Sequence, residues 1–427
     1  MNKNSMNILI KNVMIVDSCS SHHLNKRDIL INKIGLIENI SENIESTDAK
    51  IIDHNNLHIS KGWTDLNARF GEPGLEHKED LNSGLNAAAQ GGFTHVALMP
   101  STNPCIQSKL EIKFLINETS DHIVSLHPIG ALTNNREGHQ ITEMFDMHQA
   151  GAIAFGDDKK SISNAKLMKT ALLYQKTFDG LMMSYSSEEK ITNNGQMNEG
   201  ITSTKLGLKG IPSLSEEIQL ARDIQLCEYT QGKIHFSTLS SKKSFDLIRK
   251  AKEKGLNVTC DVSSIHILLD DTMLESFNSN LKILPPIRNL NDIQAIKEAL
   301  IDGTIDAISS NHNPQNIENK QCEFDLAAFG MINLETSFAA ANSALRKVLS
   351  ISDLIEKFTS QPQNILGLSQ SSIEVGIEAD ITLFDPSKKW TYQKKEIVSK
   401  SKNSALIHET LIGKPIATFN KNKIHFC

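Results

Sequence analysis

Asp65-Leu66-Asn67-Ala68-Arg69-Phe70-Gly71-Glu72-Pro73-Gly74 follows the apolar run Leu57-His58-Ile59-Ser60-Lys61-Gly62-Trp63-Thr64. It precedes Leu75-Glu76-His77-Lys78-Glu79-Asp80 and a helical stretch that ends in Gly91-Gly92-Phe93-Thr94. Strand, loop, helix and the start of a next strand follow one another here. The succession recurs downstream. Further strand-like runs are Thr94–Met99, Ile123–His127, Ala152–Phe155, Gly180–Met183, Lys233–Phe236, Asn257–Cys260 and Ile305–Ile308. Helical stretches such as Leu214–Cys227, Lys242–Lys254 and Ile293–Leu300 lie between them. Strand-then-helix repetition argues for a parallel sheet with helical crossovers. Eight such units make a (β/α)8 barrel, whose site lies at the C-terminal ends of the strands. Periodicity alone does not separate that barrel from a doubly wound sheet.

Both ends of the chain read differently. Met6–Ile10 and Val13–Val16 are short apolar runs, and Asp28–Ile31 with Ile34–Ile37 reads as a hairpin. At the far end, Ala379–Pro386 reads as strand then turn, and Ile412–Ile416 as a turn between strands. Two β-rich ends flanking a long middle suggest one composite β-sandwich domain made from both termini. The expected divisions are 1–57, 58–372 and 373–427, the middle piece being the barrel.

The 427 residues carry a net charge of −6, enough chain for one large domain and a small one. Aromatic residues are only 5%, so the core must be mainly aliphatic. No basic block points to nucleic acid, and no long apolar run points to a membrane span. Met1-Asn2-Lys3-Asn4-Ser5-Met6 lacks the features of a secretory signal, and a cytoplasmic protein is expected. Cys19, Cys105, Cys227, Cys260, Cys322 and Cys427 are scattered, which suits reduced thiols better than a metal site. His22-His23 reads as a solvated turn, and Cys105 as a packing residue with no base beside it.

Several pieces, weak singly, are strong in their order. They are Gly91-Gly92-Phe93-Thr94 with Met99-Pro100-Ser101-Thr102-Asn103-Pro104, Met197–Gly200, Gly210-Ile211-Pro212, Pro285-Pro286-Ile287-Arg288, Gly303–Ile308 and Phe329-Gly330. With Asp65–Gly74 they resemble the dihydroorotases of the long bacterial type, in the amidohydrolase superfamily. The resemblance covers nearly the whole chain. It implies the α/β fold of a (β/α)8 TIM-like barrel with a β domain, and it chooses the barrel over the doubly wound sheet.

The family's first strand reads Asp-x-His-x-His-x-Arg-Glu-Pro-Gly, its histidines binding zinc and its arginine the substrate carboxylate. Those three positions are Asn67, Arg69 and Gly71 here. The resemblance puts the bridging carboxylate at Asp157 or its neighbour Asp158. The later histidine ligands fall at Ser184 and Thr238, and the metal-binding general base at Asn311. Five of the six ligand positions are thus non-ligating, and one holds a cation. In the substrate shell, Leu284 stands for an asparagine and Gln315 for a histidine, while Asn103 remains. No zinc or other cofactor is therefore expected, and Arg69 is expected in the vacated metal position, paired with Asp157 or Asp65. His235, His266 and His312 are read as hydrogen-bonded barrel histidines beside the lost ligands.

Family members hydrolyse and close a cyclic ureide with metal-bound hydroxide. Without metal the water is not acidified, and Asn311 cannot take up a proton. The expectation is a non-catalytic member with a structural or regulatory role in pyrimidine biosynthesis. The resemblance implies aspartate carbamoyltransferase as a partner, and a homodimer is the smaller expectation. The rival is an active hydrolase of dihydroorotate or another cyclic amide, with one metal on Asp157 and His312. A third reading is a sensor holding a ligand between Arg69 and Asn103.

Overall fold

The computed structural model describes residues 6–427. Residues 1–5, read above for a secretory signal, lie outside the described residues. Eight parallel strands succeed one another around a barrel: Trp63–Ala68, Phe93–Leu98, Ser125–Gly130, Ala154–Phe155, Met182–Ser184, Ile234–Phe236, Val258–Ser263 and Ala307–Ser309. First and last strands meet near their C-terminal ends, where Ala68 bridges His312 and the Arg69 amide donates to the His312 carbonyl at 3.0 Å. Lower down, Lys357 and Phe358 fill the seam. Their carbonyls accept from Ile308 and Thr64 amides at 3.1 and 2.7 Å. The barrel of the sequence reading is therefore present.

Leu66, Ala97, Ile129, Ala154, Met183 and Ala307 belong to one apolar cluster, joined by Ile365 and Leu366 from the helix Ser360–Leu366. Side chains from strands on opposite sides of a closed sheet can meet only inside it, so this cluster fills the barrel. The helices pack outside. Leu81–Gln90 is capped by Asp80, which accepts from the Ser83 amide at 2.8 Å, and it stops at Gly91. A Cβ at Gly91 would lie 2.2 Å from the Leu334 carbonyl oxygen, so glycine is needed for that close approach.

Both termini share one continuous sheet. Asn7–Ile15 pairs with Lys26–Ile31, Ala49–Ile52 and His58–Lys61, and Ile381–Thr391 joins His58–Lys61 to Thr410–Asn420. Lys26–Ile31 and Ile37–Ser41 form a hairpin, but its second strand starts later than expected: of the run Ile34–Ile37 only Ile37 belongs to it, and Ile34 and Gly35 make the turn. His58–Lys61 lies on the barrel side of the expected division at 57/58 yet hydrogen-bonds within the terminal sheet. Its core is almost wholly aliphatic, with Ile8, Ile10, Val13, Ile29, Ile59 and Leu383. Among the described residues no helix is long and apolar enough to cross a membrane.

Candidate functional site

The loop ends of the barrel strands bring Asn67, Arg69, Asp158, Thr238 and Asn311 together. Arg69 is buried, with 6% of its surface exposed. Its Nε donates to one Asp158 oxygen at 2.8 Å and an Nη to the other at 2.5 Å, a two-pronged ion pair. The second Nη donates to Asn311 Oδ1 at 3.2 Å. Asn311 is tied at both ends of its amide, since its Nδ2 donates to the Leu284 carbonyl at 3.0 Å. Asn67 Nδ2 donates to Thr238 Oγ1 at 3.0 Å. Burial opposes ionisation of Asp158, but the adjacent guanidinium wins and holds its carboxyl at about 2.

The partner of Arg69 differs from the expectation of Asp157 or Asp65. Asp158 takes a left-handed backbone, φ 54°, and this turn carries its carboxylate to Arg69. The Asp157 carboxylate instead accepts from the Thr133 amide at 2.9 Å and from the Thr133 hydroxyl. Asp65 is held by the Ser310 amide and hydroxyl at 2.6 and 2.7 Å. Burial raises the Asp65 carboxyl to about 6, and that of Asp157 also rises. Of the two adjacent aspartates, the one that meets Arg69 is Asp158.

Ser184 lies apart from Arg69 in its bonding, donating to Asp223 at 2.9 Å. Gly71 is required where it stands. A Cβ there would sit 2.0 Å from the Leu75 carbonyl oxygen, so an arginine cannot occupy this loop as it is folded. Asn103 is exposed, and its amide donates to the Pro73 carbonyl at 3.0 Å. Leu284 contributes its carbonyl, as above. Gln315 Nε2 donates to the Phe329 carbonyl at 3.0 Å.

The three histidines are in side-chain and backbone networks. His235 bonds Asp261 at 2.8 Å and Thr259 at 2.9 Å. His266 bonds the Pro285 carbonyl at 2.9 Å, and burial lowers it to about 4. His312 Nδ1 accepts from the Asn333 amide at 3.1 Å, which leaves Nε2 protonated and 3.6 Å from Glu79. Asp157 and His312, the pair of the rival reading, thus bond different groups.

Lys159 escaped the sequence reading, although it directly follows Asp157-Asp158. Its buried ammonium lies 4.5 Å from the Tyr185 ring centre and has no hydrogen-bond partner among the described residues. Burial, and then the charge of Arg69, lowers it to about 7. Asn67, Asp158, Lys159 and Tyr185 surround a cavity of only about 10 Å³, and Leu284 and Asn311 border another of the same size. Each is room for about one water molecule.

These donors do not fit a binuclear zinc centre. Such an ion needs converging imidazoles and carboxylates. The position offers a guanidinium, two amides and a hydroxyl, with its one carboxylate already neutralised. Among the described residues no three His, Cys, Asp or Glu side chains form a metal-binding group.

A family model described as dihydro-orotase-like matches residues 58–244. The chain is 37% identical to a dihydroorotase of Geotalea daltonii over 422 residues, 98% of this chain and 99% of that protein. It is 40% identical to a dihydroorotase of Elusimicrobium minutum over 413 residues, 96% of this chain and 95% of that one. Among solved structures, an L-hydantoinase of Arthrobacter aurescens superposes with a TM-score of 0.85 at 19% identity, covering 98% of this chain and 96% of the other. That likeness speaks for the barrel and its β-rich companion. The sequence identity, sustained from end to end, decides the rest: this chain belongs to the dihydroorotase family.

Proposed function

We propose that the chain is a dihydroorotase-family protein of pyrimidine biosynthesis that does not catalyse ring hydrolysis and serves a structural or regulatory role. The observation that supports this is the two-pronged Arg69–Asp158 pair, which sets a fixed cation among the positions where the family holds metal. The closed space around it leaves no room for a cyclic ureide. Asn311 has neither a basic atom nor a free end. Loss of a general base alone removes about 10²–10⁴-fold in rate, and loss of metal activation adds to that. The purified chain should hydrolyse dihydroorotate at the background rate and bind no stoichiometric zinc. Complementation of a dihydroorotase-deficient strain by this chain alone would sink the reading.

A second reading is supported by Lys159, a buried amine poised near neutrality, and by relatives that carry the names dihydroorotase and hydantoinase. It makes the chain a hydrolase of a cyclic amide. The same assay, repeated with other cyclic ureides, separates the two. Turnover abolished by Lys159→Met would favour the second.

The structural role carries a partner with it. A whole barrel retained without its chemistry still offers its outer surface, and the family resemblance makes aspartate carbamoyltransferase the partner, with homodimerisation beside it. A specific contact should bury about 1,200–2,000 Å² and stabilise both proteins by mass action. Co-expression with the carbamoyltransferase of the same organism should give co-elution and a more heat-resistant carbamoyltransferase. Separate elution at micromolar concentration with unchanged stability removes the scaffold.

A further inference from the structure

A cavity of about 510 Å³ opens between the loops after the first, seventh and eighth strands and the C-terminal segment. That volume suits a small molecule, for which sites run from about 300 to 1,000 Å³. Neither Arg69, Asp158 nor Asn311 lines it, so it is distinct from the closed space described above. Its charged lining is lopsided. Lys320, Lys394, Lys400 and Lys402 face a single carboxylate, Glu318, in a chain whose net charge is −6.

The lysines differ in what they can still do. Lys320 is a strut: its ammonium donates to the Ser279, Ala328 and Lys282 carbonyls at 2.7, 2.8 and 3.4 Å. Lys402 donates to the Ile397 and Ser399 carbonyls at 2.7 and 2.6 Å, which leaves one N–H. Lys400 donates once, to Asp80 at 3.1 Å, and Lys394 makes no bond among the described residues. The backbone beneath them is fixed by two buried carboxylates. Glu335 accepts from the Val398 and Ser399 amides at 3.0 Å each, and Glu79 from the Lys400 amide at 2.9 Å. Ile317 and Ile407 supply apolar wall, and Asn280, Asn316 and Gln321 supply amides. Buried Gln315 also lines the cavity, and its Oε1 has no hydrogen-bond partner.

We propose that this cleft binds a phosphorylated metabolite of nucleotide size. Lys394, Lys400 and Lys402 take the phosphates with the N–H donors they still have to spare, Lys400 sharing its charge with Asp80, since ammonium donors gathered on one segment suit an anion of more than one charge. Ile317 and Ile407 cover a ring, whose polar edge meets the amides. The proposal holds whether or not the barrel catalyses anything, so its failure and that of the non-catalytic reading are separate events.

The test is calorimetric titration and thermal melting of the full chain with ATP, GTP, CTP and UTP, and with tripolyphosphate and the free nucleosides. At least one nucleotide should bind saturably and raise the melting temperature, with tripolyphosphate weaker and the nucleosides weaker still. In the double variant Lys394→Gln, Lys400→Gln, affinity should drop about 25-fold, about fivefold for each charge met in water. Added salt should weaken binding to the parent more than to the variant. An unliganded melt like the parent's shows that the variant is folded. Absence of saturable binding by all four nucleotides, or an unchanged affinity in the double variant, overturns the proposal. Tripolyphosphate binding as tightly as the best nucleotide overturns the ring site.

Discussion

Arg69→Met should cost about 3 kcal/mol of stability at neutral pH, because it strands the Asp158 carboxylate in the interior. Arg69 makes both prongs of the pair, and Asp158 is buried beside it. The pH dependence carries a sign. In the parent, the Asp158 carboxyl is held at about 2 against an ordinary 3.8, so the pair stabilises above the ordinary value. That stability is lost as pH falls from 3.8 towards 2. In the variant burial, the largest influence on Asp158, pushes the carboxyl upward, opposed by the charges of Arg136 and Lys159. The parent–variant gap should therefore be small in acid and widen through the ordinary carboxylate range. Urea unfolding across pH measures both curves. Asp158→Asn should restore much of the loss in the Arg69→Met background, since asparagine tolerates the left-handed turn and carries no charge. Equal stability of Arg69→Met and the parent at pH 7 would mean that the pair is not what holds this floor together.

Trp63→Ala should be at least as damaging, at about 3–5 kcal/mol. Trp63 begins the first barrel strand and is fully buried. Its ring lies 4.5 Å from that of Phe338, 5.8 Å from Phe358 and 5.5 Å from Phe384. Phe338 and Phe358 belong to the barrel side, and Phe384 to the terminal-sheet strand Ile381–Thr391. The indole N–H donates to Ser60 Oγ at 2.9 Å, within the linking strand His58–Lys61. One side chain thus packs barrel and terminal sheet together. Removal should lower the denaturation midpoint and split the transition, with the terminal sheet melting first. A single transition within 1 kcal/mol of the parent, on the order of a surface substitution, would contradict this.

Legible in the sequence alone were the order of strands and helices along the chain and the β-rich character of its two ends. These features are local. A run such as Ile305–Ile308 keeps its apolar character wherever the segment lies. Strand limits were less legible. The runs at Gly180–Met183 and Ile305–Ile308 begin before the strands Met182–Ser184 and Ala307–Ser309 and stop one residue short of their ends. The strands run on into polar residues because their C-terminal ends face the site, where apolarity no longer marks them. Which charges meet is visible only in the folded chain. Whether Asp157 or Asp158 faces Arg69 depends on one backbone turn at φ 54° and on Thr133, which claims the other carboxylate. Spacing along the chain carries no trace of that choice. Lys159 was invisible for the same reason. A lysine in sequence is a solvated charge until the fold buries it beside Tyr185, and burial, not identity, is what shifts its proton.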